Sequence, residues 1–347
     1  MSPSVLTVLI SSLGLGTAIT LSSSHWLLAW MGLEMNTLAI LPVMSKNYHP
    51  RAVEATTKYF ITQATAAAMI LFASTTNAWI TGQWDIQYLS SPAPVVMTTL
   101  ALALKLGMAP VHFWLPEVLQ GLDLITGLIL STWQKIAPLA LLLQLHDLTP
   151  TMTLSMGLMS MLIGGWGGLN QTQLRKILAY SSIAHLGWMM IIVSFTPHLT
   201  LLAMILYIIM TTSVFATLLI NGTTTINSLA TSWPMNPLIT ALFPLLVLSL
   251  GGLPPLSGFM PKWLILQELA NQHLAPAATI AALSALISLY FYLRMSYAMT
   301  LTTSPATISS KTPWRINNIS PALLIAPATS ATIMLLPLTP SINALFN

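Results

Sequence analysis

The feature that most constrains this chain is a series of apolar runs, each about 20 residues long, that follow one another with short connections along almost its whole length. A run of that length, coiled as a helix, matches the hydrocarbon core of a bilayer. In that medium every backbone N–H and C=O must be satisfied internally, which leaves helices or closed barrels. A barrel would show short alternating segments instead of unbroken runs. The runs fall near residues 3–22, 25–44, 56–80, 94–120, 124–146, 151–169, 174–195, 199–221, 238–270, 276–299 and 319–342. They predict an all-α polytopic membrane protein with about 11 transmembrane helices. The connections 81–93, 222–237 and 300–318 are rich in Ser, Thr, Asn and Pro and read as surface loops.

Composition narrows the function. Charged residues make 5% of the chain, against about 25% in soluble domains, while 55% is hydrophobic and the mean hydropathy is +0.79. Too few polar side chains exist to cover a water-facing surface, which excludes a soluble enzyme, a nucleic-acid binder and a disordered chain. Cysteine is absent, so no disulfide, thiolate zinc site or iron–sulfur cluster can be held here, and any electron transfer is expected elsewhere. Gly14-Leu15-Gly16 lacks the third glycine and the preceding strand of a phosphate loop. Met1 to Pro3 lead straight into an apolar run without a basic signal region, so insertion is expected in the membrane system where the chain is made.

Loop charges give an orientation. Lys46, Arg51, Arg175, Lys176, Lys311 and Arg315 share one side with Glu54, Glu117 and Asp123, whereas Asp85, Asp147 and Glu268 lie on the other without a Lys or Arg. The positive-inside rule then puts the N-terminus in the cytoplasm or matrix and the C-terminus opposite.

Two runs are interrupted in a related way. The fourth contains Gly107, Pro110 and Pro116 with Lys105, and the ninth contains Gly251, Gly252, Pro254, Pro255, Gly258 and Pro261 with Lys262. Proline removes a donor and clashes with the preceding turn, so each run should be two half-helices with freed carbonyls. Helices 4 and 9 are five apart, which divides the chain into two five-helix repeats, inverted because five is odd, plus a C-terminal helix. The corresponding boundaries are 1–150, 151–300 and 301–347. Paired broken helices in inverted halves are the signature of a transporter core.

Four charges sit far from either interface: Glu34 in the second run, Lys105 in the fourth, Lys135 in the fifth and Lys262 beside the second break. Each would cost about 2.5 to 3.5 kcal/mol at the bilayer centre, so each should face the bundle interior. An ion pair accounts for Glu34 and one lysine, not for three lysines. Lysines buried near a movable carboxylate suit proton transfer, because bringing the acid close or taking it away loads or unloads the ammonium. His112, across the first break from Lys105, and His185, mid-run, are candidate relays, since a neutral imidazole both donates and accepts. A satisfied packing role is the competing reading for both. Lys58, Lys176 and Arg294, close to helix ends, are expected to snorkel. Gly164-Gly165-Trp166-Gly167-Gly168 is expected to mark close helix packing.

The segments from His25-Trp26 to Glu34-Met35-Asn36, Lys105 to Glu117, Trp166 to Ser182 and Gly251 to Lys262 resemble the subunit 2 family of mitochondrial NADH:ubiquinone oxidoreductase, respiratory complex I, in its vertebrate form. The resemblance implies an antiporter-like subunit of the proton-pumping membrane arm, multi-pass in the mitochondrial inner membrane, with its N-terminus in the matrix and its C-terminus in the intermembrane space. It implies proton transfer by Glu34, Lys105, Lys135 and Lys262, with His112 and His185 on the axis between them. As part of the enzyme the chain would carry no redox centre and no metal, the FMN, iron–sulfur clusters and ubiquinone being expected in other subunits. Implied partners are the other membrane-arm subunits, including the antiporter-like subunit 4 and subunit 4L, and phospholipids such as cardiolipin. Full-length relatives have three more N-terminal helices, a loss typical of the animal form. The rival reading is a self-contained cation/proton antiporter of the same fold.

Overall fold

A computed structural model describes residues 2–46, 49–89, 91–145, 148–233, 237–301 and 322–346. His146, Asp147, Lys311 and Arg315 lie outside the described residues. The architecture is helical: α1 Pro3–Ser22, α2 Trp26–Met44, α3 Pro50–Thr81, α4 Pro92–Leu106, α5 Trp114–Gly121, α6 Leu124–Ser131, α7 Trp133–Gln144, α8 Pro150–Gly168, α9 Leu174–Ile192, α10 Pro197–Asn221, α11 Ile226–Ala230, α12 Pro237–Gly251, α13 Phe259–Asn271, α14 Ala275–Thr300, α15 Ala322–Met334 and α16 Thr339–Phe346. Among the described residues the extended structure amounts to two isolated bridges. Among the described residues five stretches are long and apolar enough to cross a membrane unaided, namely α1, α2, α6 with α7, α10 and α14.

The polarity of α3 is reversed relative to a helix of a water-soluble protein. On α3 the buried stripe is Ala52, Ala55, Tyr59, Gln63, Ala66, Ile70, Ala73 and Asn77, small or polar at three- and four-residue spacing. Its outer side shows Phe60, Ile61, Phe72 and Trp79. Small inward residues let backbones approach closely, and apolar outward ones meet lipid.

Three expectations are corrected. The third run begins at Pro50 rather than near 56, capped by His49, because Arg51, Glu54 and Lys58 extend the helix instead of forming a loop; Glu54 and Lys58 pair at 2.8 Å one turn apart. The fifth run is interrupted at Thr132, where the Leu128 carbonyl accepts from the Thr132 N–H and from the hydroxyls of Thr132 and Ser131. The last run is bent by 68° around Leu335, where Pro337 can donate no N–H to the turn before it.

The chain forms two compact units, Met1–Gly157 with Val193–Phe195, and Leu158–Ile192 with Thr196–Asn347. In the first unit, the loops after α1 and α3 pair: Trp26 N–H donates to the Trp84 carbonyl (3.0 Å) and Ile86 N–H to the Ser24 carbonyl (2.9 Å). In the second, the loops after α8 and α10 do the same: Leu174 N–H donates to the Thr224 carbonyl (3.0 Å) and Ile226 N–H to the Thr172 carbonyl (3.1 Å). A Cβ on Gly16 would lie 2.9 Å from the Gly32 carbonyl oxygen, and one on Gly164 would lie 2.9 Å from that of Tyr180. Positions on α1, α2 and the loop between them shift by 148 residues, Gly16 to Gly164, Ser24 to Thr172, Trp26 to Leu174 and Gly32 to Tyr180, whereas their partners after α3 and α10 shift by 140, Trp84 to Thr224 and Ile86 to Ile226.

The glycine cluster ending α8 packs as expected. Gly164 lies against the α9 backbone, Gly167 against the Tyr180 ring and Gly168 against the Phe291 ring of α14. Arg294 reaches the loop that follows α8, donating to the carbonyls of Leu169 (2.6 Å) and Gln171 (3.1 Å).

Candidate functional site

Both predicted breaks exist and are built alike. Gly107 ends α4 with φ +77°, its N–H donating to the Leu104 carbonyl while Met108 N–H reaches that of Ala103. Gly252 follows α12 with φ +76°, its N–H donating to Ser249 while Leu253 N–H reaches Leu248. Only glycine takes this left-handed cap without a steric penalty. Three residues after each glycine comes a cis X-Pro bond, Ala109–Pro110 and Pro254–Pro255.

The freed carbonyls find side-chain partners. Trp114, opening α5, donates its indole N–H to the Leu104 carbonyl at 3.1 Å. At the second break Lys262, in the first turn of α13, reaches back so that Nζ donates to the Gly251 carbonyl at 2.7 Å. Ser257 fixes the intervening loop by donating its hydroxyl to Thr332 of α15 at 2.7 Å.

In the first unit the break places Lys105 in the last turn of α4, 6% exposed, and Lys135 lies on α7, 2% exposed. Both line one cavity of about 10 Å³, at the lower limit of what holds a water molecule, together with Asn36, Tyr59, Gln63 and Gln134. Asn36 Oδ1, Gln63 Nε2, Lys105 Nζ and Gln134 Nε2 are buried without a hydrogen-bond partner in the protein, as is Glu34 Oε2 on α2. Buried polar atoms normally carry a partner, so this concentration marks a site that does more than pack. Glu34 is within electrostatic reach of both Lys105 and Tyr59. The Tyr59 ring packs edge-on against Trp114, with centroids 5.7 Å apart.

His112 is buried, but it is not among the residues lining that cavity; it packs on Phe113 with Nδ1 3.3 Å from the Pro110 carbonyl. In the second unit His185 is buried on α9 with its ring 5.6 Å from that of Tyr207. Lys262 borders an open, mainly apolar groove of about 490 Å³ lined by Trp188, Phe259, Trp263, Leu286 and Leu289 among others. Charge and imidazole content in the sequence pointed to the lysines, the acid and the histidines. It missed Asn36, Tyr59, Gln63 and Gln134, which are neutral and leave no mark in a hydropathy pattern.

At the opposite end of the first break, Lys58 holds Glu117 of α5 at 2.7 Å and Glu54 at 2.8 Å. The hydrogen bond and charge of Lys58 keep the Glu54 carboxyl below its usual range.

Broken membrane helices with buried lysines beside the breaks define a helical transporter-type membrane protein. The family described as NADH:quinone oxidoreductase/Mrp antiporter, TM, matches residues 23–288, and NADH dehydrogenase subunit 2 C-terminus matches residues 289–343. The chain belongs to the NADH:quinone oxidoreductase/Mrp antiporter family. It is 65% identical to NADH-ubiquinone oxidoreductase chain 2 of Tetraodon nigroviridis, covering 100% of both chains, and 65% identical to that of Salmo salar, covering 99% of both. Among solved structures it matches a chain of respiratory complex I from Thermus thermophilus with a TM-score of 0.86 at 26% identity, over 98% of this chain and 79% of the other. A chain of the Mrp complex from Dietzia sp. DQ12-45-1b shares the fold alone, with a TM-score of 0.82 at 17% identity over 97% and 75%.

Proposed function

We propose that this chain is a core membrane-arm subunit of respiratory complex I, translocating protons across the mitochondrial inner membrane while NADH is oxidised by ubiquinone in other subunits. The observation that carries the mechanism is the cavity shared by Lys105 and Lys135, with Glu34 in electrostatic reach of Lys105. A carboxylate brought against Lys105 favours its charged form; withdrawn, it lets the lysine give a proton toward Lys135, on the same cavity. Lys262, on the far side of the second break, serves the other half, with His112 and His185 as relays.

The reading includes two inverted five-helix halves, 1–150 and 151–300, followed by 301–347 with the last helix, and about 11 crossings in all. The 148-residue register and the two matching caps support it. Its orientation has the N-terminus in the matrix and the C-terminus in the intermembrane space, following the Lys and Arg of the loops. The groove beside Lys262 suits a neighbouring membrane subunit, subunit 4 in this reading, with subunit 4L on another flank and phospholipids such as cardiolipin around the rest.

Lys105→Ala in the assembled complex, reconstituted in vesicles, is expected to lower the proton-to-electron ratio. An unchanged ratio would remove Lys105 from the path. On a native gel after mild extraction the chain should migrate with a large NADH-oxidising assembly; a small homo-oligomer would indicate a self-contained antiporter.

A further inference from the structure

The second break is tied to a helix from outside its own run. Ser257, in the loop between α12 and α13, is 1% exposed, and Thr332 of α15, in the same compact unit, is 0% exposed. The Thr332 carbonyl accepts from the Ser257 hydroxyl at 2.7 Å and from the Ser257 N–H at 3.4 Å. Thr332 stands in the last turn of α15, where carbonyls run out of partners within the helix, and the chain bends by 68° just beyond it. Gly258, the next residue of the loop, lies hard against α12, since a Cβ there would run into the Ser249 carbonyl. From Gly258 the chain enters α13 directly, with Pro261 stiffening the first turn and Lys262 following it. The Lys262 side chain then crosses Gly252 and places Nζ 2.7 Å from the Gly251 carbonyl. A continuous series of contacts thus runs from α15 through Ser257 and Gly258 to Lys262 and the end of α12. The first break is held differently: its loop and Trp114 bond back to Ala103 and Leu104 in the same run.

Satisfying one buried carbonyl needs only a donor, which the Ser257 N–H already supplies. The hydroxyl adds direction, because hydrogen bonds are short and angle-dependent. Ser257 and Lys262 are joined by Gly258 and one helical turn, so a shift at one is carried to the other. A displacement of about 1 Å would take Nζ out of hydrogen-bonding range of the Gly251 carbonyl. We propose that Ser257 is a positioning residue and α15 its strut, together holding the start of α13 where the Lys262 ammonium closes the break on the Gly251 carbonyl. A lysine that has passed its proton on along the proposed path loses the charge that strengthens this bond, so the break loosens on the α12 side. The Ser257 tie keeps the α15 side in place, and Lys262 returns to the same carbonyl when it is recharged. The last helix thereby acts on the path although it lies outside both proposed halves.

The inference rests on Lys262 belonging to the proposed path, and the test separates the two. Ser257→Ala, Lys262→Ala and the double variant are each assembled in the complex, reconstituted in vesicles and measured for proton-to-electron ratio. Ser257→Ala should lose most of what Lys262→Ala loses, and should lower the ratio no further once Lys262 is alanine. Loosened packing would instead reduce the amount of assembled complex and leave its ratio alone. A wild-type ratio in Ser257→Ala beside a lowered one in Lys262→Ala overturns the strut and leaves the path standing. An equal drop from Ser257→Ala with and without Lys262 also overturns the strut, since residues that act through one another are not additive. A wild-type ratio in Lys262→Ala removes Lys262 from the path and the strut with it. If Ser257→Ala does not assemble, Ser257→Cys takes its place, because a thiol fills similar space but donates weakly. Its ratio should again fall, and a wild-type ratio there overturns the strut.

Discussion

At the scale of single residues, glycine and neutral polar side chains mark opposite ends of what a sequence reveals. A Cβ on Gly164 would meet the Ala184 N at 2.7 Å and the Tyr180 carbonyl oxygen at 2.9 Å, both backbone atoms that cannot turn aside. Gly164→Ala should therefore push α8 off α9 and cost about 1–3 kcal/mol, read as a lower unfolding temperature or lost assembly. Gly14→Ala, with open space around it, should leave both unchanged. The cluster from Gly164 to Gly168 announces its packing role because glycine is rare in runs that must fill space. Tyr59, Gln63 and Asn36 announce nothing, because one neutral polar residue hardly changes the apolarity of a 20-residue window; their role shows only when four chain segments bring them to Lys105.

At the scale of elements, the breaks in the fourth and ninth runs were legible because Gly and Pro act locally and without regard to neighbours. The start of α3 was not, since Arg51, Glu54 and Lys58 read equally well as a charged loop or as a helix leaving the membrane. What decides is the partner 59 residues away, Glu117 on α5. This bridge joins exposed side chains, so screening leaves it little weight. Glu117→Gln should leave assembly and turnover at physiological salt unchanged, measured on native gels and by NADH oxidation. The pairing of Glu54 with Lys58 is complete above the ordinary carboxylate value of 4.5 and fades as the pH falls below it, since its carboxyl is held low. Helix content at the α3 start should thus loosen only on acidification.

At the scale of the whole molecule, a division into halves followed from the spacing of the two breaks, whereas the register between halves did not. Few residues are shared across it beyond Gly16 with Gly164, too sparse a signal to find without the paired loops. The same register puts an ionisable carboxylate, Glu34, where the other half has a serine. Glu34→Ser would make the halves alike at this position, and the expected result is NADH oxidation without the wild-type proton yield, measured with a pH-sensitive dye in sealed vesicles; full yield would contradict it. Ser182 has no charge to gain or lose near neutral pH, so in the proposed path the two halves differ here in whether the position can carry a negative charge. One carboxylate facing one hydroxyl across the register makes a duplicated scaffold lopsided in charge, so a change in local potential would be felt unequally by its two copies.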